Sequence, residues 1–121
     1  MQKKLELNKS VLVTGCSSGI GRAIALHLAQ NGYTVFATVR KESYRQELCQ
    51  LGEHNLVPLC PLDLAHPDEI VPLLDNVQAE LKRRGQAGLY ALVNNAGGGG
   101  VSPVELMDVE AFQRELVTRL A

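Results

Sequence analysis

Residues Val11 to Gly21 read VLVTGCSSGIG, and this stretch decides the fold. Val11, Leu12 and Val13 are apolar residues in extended spacing that run into Thr14, Gly15, Gly19 and Gly21; Arg22 to Gln30 then reads as a helix. A strand, a glycine turn and a helix start are thus packed into one short segment. Glycine suits such a turn because it accepts positive φ and because a side chain would hold the backbone away from a bound phosphate. The helix that follows presents free N–H groups and a partial positive charge at its first turn, which is where a pyrophosphate would be received.

The glycines fall as Gly-x-x-x-Gly-x-Gly, which differs from the general dinucleotide pattern Gly-x-Gly-x-x-Gly. The Gly-Lys-Ser/Thr ending of a P-loop is absent. Instead TGCSSGIG resembles the cofactor loop of the short-chain dehydrogenase/reductase family, Thr-Gly-x-x-x-Gly-x-Gly. The resemblance implies that Gly15, Gly19 and Gly21 line a dinucleotide, with Ser17, Ser18 and Ile20 adding backbone or hydroxyl contacts. It also implies an α/β fold: a Rossmann-like, doubly wound parallel sheet.

The 121 residues fit one domain, residues 1–121, with a moderate core. At 45% hydrophobic, 21% charged and a net charge of −1, the chain has neither the basic surface of a nucleic-acid binder nor an apolar run that would span a membrane. Its start, MQKKLELNKS, has no apolar segment behind the lysines, so a cytoplasmic location is expected. Cys16, Cys49 and Cys60 are widely spaced and odd in number, and read as reduced thiols. Cys49 and Cys60 read as buried packing residues, whereas Cys16, in the phosphate loop at a helix N-terminus, reads as a thiol inclined to ionise, whose alkylation would block the cofactor. His27, His54 and His66 share no ligand spacing with one another or with the cysteines, and no metal site is expected.

In chain order, Ser10 to Val13 is the first strand, and Ile20, Ala23, Ile24, His27 and Leu28 form the helix face expected to lie on the sheet. Asn31-Gly32 supplies the helix stop, and Thr34 to Val39 is a second strand, parallel to the first because a helix joins them. The end of this strand bears on the cofactor. Dinucleotide folds that use NAD place an acid about 20 residues beyond the glycine loop for the ribose 2′-hydroxyl, and an arginine there suits a 2′-phosphate. Here Arg40 and Lys41 precede the first carboxylate, Glu42, so NADP is expected ahead of NAD. The missing acid also tells against an S-adenosylmethionine methyltransferase.

Ser43 to Leu51 reads as a helix opened by a Ser43–Gln46 capping box, and Asn55 to Cys60 as a strand that Pro58 confines to the sheet edge. The family resemblance makes Asp63, with Leu64 after it, the adenine contact; the plainer reading of Asp63 is an acid that leads the next helix. Pro67 opens that helix, Ile70, Leu73, Leu74, Val77 and Leu81 form its buried stripe, and Lys82-Arg83-Arg84-Gly85 closes it. Gly88 to Val93 is a fourth strand whose unbroken apolar run marks an interior position. Right-handed winding gives the order 3-2-1-4 for the four strands. In that order the far edge of the fourth strand is open to another chain unless a fifth covers it, and self-association through this edge or through the last helix is expected.

Directly after the fourth strand stands Asn94-Asn95-Ala96-Gly97, which resembles the second sequence mark of the same family. The resemblance makes Asn94, Ala96 and Gly97 cofactor-lining, where the plainer reading of Gly97 to Gly100 is a flexible connection. Family members transfer hydride between nicotinamide and a carbonyl or alcohol, using a tyrosine, a lysine four residues later, a serine and an asparagine. None can be assigned in these 121 residues: Tyr33, Tyr44 and Tyr90 are followed four residues on by Ala37, Leu48 and Asn94, and Asn95 is the last asparagine. Three readings stay open: an NADP-dependent oxidoreductase represented by its dinucleotide-binding half, a non-catalytic NADP(H)-binding or dimerising module that pairs with a longer relative, and a fragment that does not fold.

Overall fold

A computed structural model describes residues 8–63 and 65–95. Four strands, β1 (Ser10–Val13), β2 (Thr34–Thr38), β3 (Leu56–Leu59) and β4 (Leu89–Val93), form one parallel sheet in the order β3-β2-β1-β4. Val11 of β1 lies beside Val35 of β2 and Ala91 of β4, and Val35 beside Leu56 of β3, with an irregularity between Ser10 and Val11 on the β4 side. The order is the one the strand succession implies.

Alternation along the strands divides the core into two layers. Val11, Val13, Val35, Ala37 and Val39 face α1 (Gly19–Gln30) and α2 (Glu42–Gln50), meeting Ala25, Ala29 and Leu48. Leu12 and Phe36 face the other way, onto Leu73, Val77 and Leu81 of α3 (Ile70–Arg83). Every residue of β1 and β2 is buried, as central parallel strands covered on both sides must be.

Several local expectations change. The buried face of α1 is Gly21, Ala25 and Ala29 rather than the stripe through Ile20, Ala23 and His27; Ile24 and Leu28 sit at its margin and Ile20 is exposed. Small residues win that face because they let the helix axis approach the sheet. The capping box at Ser43 does not form. α2 begins one residue earlier, with Lys41 at the cap, no side-chain cap, and Glu42 in the first turn where a carboxylate favours the dipole. Cys49 is exposed, since the polar α2 buries Leu48 alone, and Cys60 is half-buried. Pro67 opens a short 3₁₀ turn, Pro67–Glu69, before α3 itself, and Leu74 is exposed beside the stripe. β4 stands at one end of the sheet, with Leu89, Tyr90 and Leu92 exposed, rather than in its interior among the described residues.

Candidate functional site

The sheet winds outward from β1 in one direction to β2 and β3, and in the other to β4. At such a reversal the loops leaving the carboxyl ends of neighbouring strands diverge and leave a crevice, the usual ligand position in open α/β sheets. The two segments that leave neighbouring strands at this point are the glycine turn after β1 and Asn94-Asn95 after β4.

The turn is built by backbone bonds. The Cys16 N–H donates to the Thr38 carbonyl over 3.0 Å, fastening the turn to the end of β2, and Thr14 N–H donates to the Val93 carbonyl over 3.1 Å, fastening it to β4. Asn95 adds two more ties: its N–H donates to Thr14 Oγ1 over 3.0 Å and its side-chain amide to the Gly15 carbonyl over 3.2 Å. Asn95 and Thr14 are therefore the residues that couple the two loops, and neither stands among the contacts expected from the sequence. The doubled asparagine offered the signal, but its first member, Asn94, is exposed.

The three glycines do different work. Gly15 and Gly19 hold φ of +69° and +63°, values costly for residues with a Cβ. A Cβ on Gly19 would meet nothing within 4 Å, so the glycine leaves open space in front of the helix start. A Cβ on Gly21 would lie 2.2 Å from the Gly15 carbonyl oxygen and 2.4 Å from Asn95 Nδ2; this glycine lets α1 pack onto the turn. Ser18, the residue before α1, is extended, makes no side-chain cap, and no acid lies in the first turn. The first amides of α1 consequently have no capping oxygen and no competing carboxylate among the described residues. With Ser17 half-buried, and Ser18, Gly19 and Ile20 exposed, this turn fits an anionic diphosphate.

Cys16 departs from expectation. It is fully buried, its thiol donates to the Val13 carbonyl over 3.1 Å, and burial pushes it up to about 12, a backbone hydrogen bond at Thr38 offsetting only part of the rise. The residue after Gly15 points into the core between β1 and β2, away from the helix N-terminus, so the thiol is not activated.

Arg40 and Lys41 are both exposed directly after Val39, and neither is ion-paired among the described residues. Val39 is held from two sides, its N–H donating to the Leu59 carbonyl and its carbonyl accepting from Leu62 N–H, each over 3.0 Å. That arrangement sets Asp63 beside the same end of the sheet. Its carboxylate accepts from Ala65 N–H over 3.0 Å and lies 3.8 Å from His66 Nε2, while its own N–H donates to Glu69 Oε1 over 2.8 Å. The Asp63 carboxylate thus organises the turn that leads into α3, and its side chain is about a third exposed (31%). Leu64, Ala96, Gly97 and the last helix lie outside the described residues. Among the described residues no cluster of histidine, cysteine or carboxylate could hold a metal ion, and no helix is long and apolar enough to cross a membrane.

Comparison with known proteins points the same way. Residues 9–120 match the family profile described as short chain dehydrogenase. The chain is 36% identical over 110 residues to retinol dehydrogenase 5 of Homo sapiens, covering 90% of this chain and 33% of that protein. It is 35% identical over 107 residues to an NADPH-dependent 1-acyldihydroxyacetone phosphate reductase of Schizosaccharomyces pombe, covering 88% and 33%. The chain thus spans about a third of the length of these curated relatives. A crystal structure described as a short-chain alcohol dehydrogenase from Sinorhizobium meliloti 1021 superposes with a TM-score of 0.71 at 33% identity, over 95% of this chain and 44% of that one. A short chain dehydrogenase from Bacillus anthracis shares the fold, with a TM-score of 0.73 at 24% identity over 92% of this chain and 45% of that one. With the glycine turn, the 3-2-1-4 sheet and a family match running from Lys9 to Leu120, the chain belongs to the short-chain dehydrogenase family.

Proposed function

We propose that this chain is the dinucleotide-binding portion of an NADP(H)-dependent oxidoreductase that interconverts a carbonyl and an alcohol. The observation that carries the reading is the first turn of α1, without a capping side chain or acid, with open space beside Gly19 at the carboxyl end of β1, where the sheet's winding reverses direction between β1 and β4. Gly15, Ser17, Ser18, Gly19, Ile20 and Gly21 would receive the pyrophosphate on backbone amides and hydroxyls. Arg40 and Lys41 would meet a 2′-phosphate at the end of β2, Asp63 and Leu64 the adenine, and Asn94, Ala96 and Gly97 the adenosine ribose. The preference for NADP rests on Arg40 and Lys41, exposed and without an ion-pair partner among the described residues, and the S. pombe relative that is named NADPH-dependent supports it.

When bound, the nicotinamide supplies or accepts the hydride. The residues of this chain bind and orient. Helix amides and the two cations fix the adenosine and diphosphate, and fixing a reactant in this way is a large part of what an enzyme contributes to rate. A proton must also pass to or from the substrate oxygen. Because no Tyr-x-x-x-Lys occurs in these 121 residues, no proton donor is assigned here.

A second reading is favoured by one observation. β4 ends the described sheet with Leu89, Tyr90 and Leu92 exposed, as expected of a binding module that pairs with another chain. Sedimentation analysis of the 121-residue chain mixed with a full-length family member separates the two: a mixed species argues for the second, its absence for the first.

Calorimetric titration tests the cofactor. NADPH should bind more tightly than NADH, and Arg40→Asp should reverse the order, because it removes the phosphate partner and restores an acid for the ribose hydroxyl. Equal affinities in the unmodified chain, unchanged in Arg40→Asp, would refute the assignment.

A further inference from the structure

Glu42 is the first carboxylate after β2, and it follows Arg40 and Lys41 directly. Consecutive Cα atoms are about 3.8 Å apart, so Glu42 lies within the roughly 8 Å over which exposed charges act on one another at physiological salt. Left free, it would pair with the two cations and repel a phosphate approaching them.

It is not free. Arg45 grips it with a two-toothed fork, Nε donating to Oε2 over 2.8 Å and Nη2 donating to Oε1. From the end of β3 the Cys60 thiol also donates to Oε2, over 3.0 Å, so the clamp joins α2 to the neighbouring strand. Arg45 Nη1 reaches on to Cys49 Sγ at 3.7 Å, which steadies the guanidinium along the helix. The hydrogen bonds from Arg45, and then from Cys60, hold the Glu42 carboxyl down to about 2, so it is ionised and paired although its side chain is exposed. Burial first, and then the Glu42 carboxylate, push the Cys60 thiol up to about 11.

We propose that Arg45 and Cys60 are specificity-determining positioning residues: by neutralising and holding Glu42 they keep it from the ribose end of the nucleotide and leave Arg40 and Lys41 free for a 2′-phosphate. The inference rests on the reading of Arg40 given above. It adds that the preference depends on two residues that need not touch the nucleotide at all. The acid at this strand end is not missing but withdrawn.

The test is calorimetric titration of the 121-residue chain with NADPH, NADH, 2′,5′-ADP and 5′-AMP, for the unmodified chain, Arg45→Ala and Arg45→Ala/Glu42→Gln. Arg45→Ala releases the carboxylate and should lower the NADPH-to-NADH affinity ratio roughly three- to five-fold, the scale of one exposed charge pair, with the 2′,5′-ADP-to-5′-AMP ratio falling alongside. Arg45→Ala/Glu42→Gln should restore both ratios. A preference in the unmodified chain that Arg40→Asp abolishes but Arg45→Ala leaves unchanged overturns this inference alone. Absence of any preference for the 2′-phosphate, or of binding, overturns the reading of Arg40 and this inference together. A readout without nucleotide is the iodoacetamide labelling rate of Cys60, followed by site-resolved mass spectrometry. Glu42→Gln should raise it several-fold by removing the carboxylate that opposes thiolate formation, and an unchanged rate contradicts the clamp.

Discussion

The side-chain amide of Asn95 donates to the carbonyl of Gly15 across 3.2 Å, so the loop leaving β4 holds the turn leaving β1. Eighty residues of chain separate the two, and the bond exists only once the sheet has formed. Asn95→Ala removes this donor and leaves the half-buried Gly15 carbonyl without its side-chain partner. The expected loss is about 1–2 kcal/mol in urea denaturation. An unchanged midpoint would show that the turn holds its shape without Asn95.

Gly19 and Gly21 should respond differently to the same methyl group. Gly21→Ala drives a Cβ to within 2.2 Å of the Gly15 carbonyl oxygen, a backbone atom that cannot swing aside. The cost should reach about 3 kcal/mol, outweighing the roughly 1 kcal/mol by which alanine favours a helix. Gly19→Ala meets no atom within 4 Å and carries only the strain of φ +63°, about 1–2 kcal/mol, but it fills the space before the helix amides. Denaturant melts and NADPH titrations on both variants check this. Gly21→Ala should lose more stability, and Gly19→Ala should retain most of its stability while losing affinity at least ten-fold.

Cys16 should resist alkylation in the folded chain and titrate only as the chain unfolds. Its folded thiol lies at about 12 against an ordinary 9.0, so the group contributes stability in full below pH 9 and loses it as pH rises toward 12. Cys60, raised to about 11, adds a smaller effect of the same sign. Cys16→Ala should flatten the fall in unfolding free energy above pH 9 relative to the unmodified chain. The same slope in both proteins would mean that burial of Cys16 is not its source. Cys49, exposed on α2, should label first at neutral pH.

Acid should weaken the two ends where a glutamate holds arginines. Hydrogen bonds from Arg83 and Arg84 at the end of α3 hold the Glu80 carboxyl down to about 2, and Arg45 does the same for Glu42. Both carboxyls lie below their ordinary 4.5, so their contribution is complete above that pH and is lost as pH falls toward 2. Glu80→Gln should lower stability slightly at pH 7 and leave it unchanged near pH 2; a variant equally destabilised at both pH values would contradict the ion pairs. These carboxylates are near the surface, so 1 M salt should shrink the difference.

The sheet was legible because its signals are redundant: buried runs at Val11–Val13 and Val35–Ala37, a helix between each pair of strands, and Asn31-Gly32 and Gly85 as stops. Strand order followed from winding rules once these were placed. What was missed depends on contacts between segments. The direction of the Cys16 side chain is set by the bond from its N–H to Thr38 in another strand, which no local pattern encodes. The buried face of α1 is chosen by how closely Gly21, Ala25 and Ala29 let it approach, not by where its largest apolar residues fall. Ser43 and Gln46 had the spacing of a cap, but Arg45 and Cys60 fix Glu42 in the first turn ahead of them. Asn95 looked like half of a motif, and only the fold shows that it, rather than Asn94, reaches the glycine turn.

On the proposed reading, the amides at the head of α1 receive the diphosphate of a dinucleotide. Amide chemical-shift mapping by ¹H–¹⁵N NMR during titration with NADPH tests it residue by residue. The largest shifts should fall on Ser17, Ser18, Gly19, Ile20 and Gly21, with a second group at Arg40 and Lys41 that is weaker when NADH replaces NADPH. Saturable shifts centred elsewhere, with residues 15–21 unmoved, would contradict it.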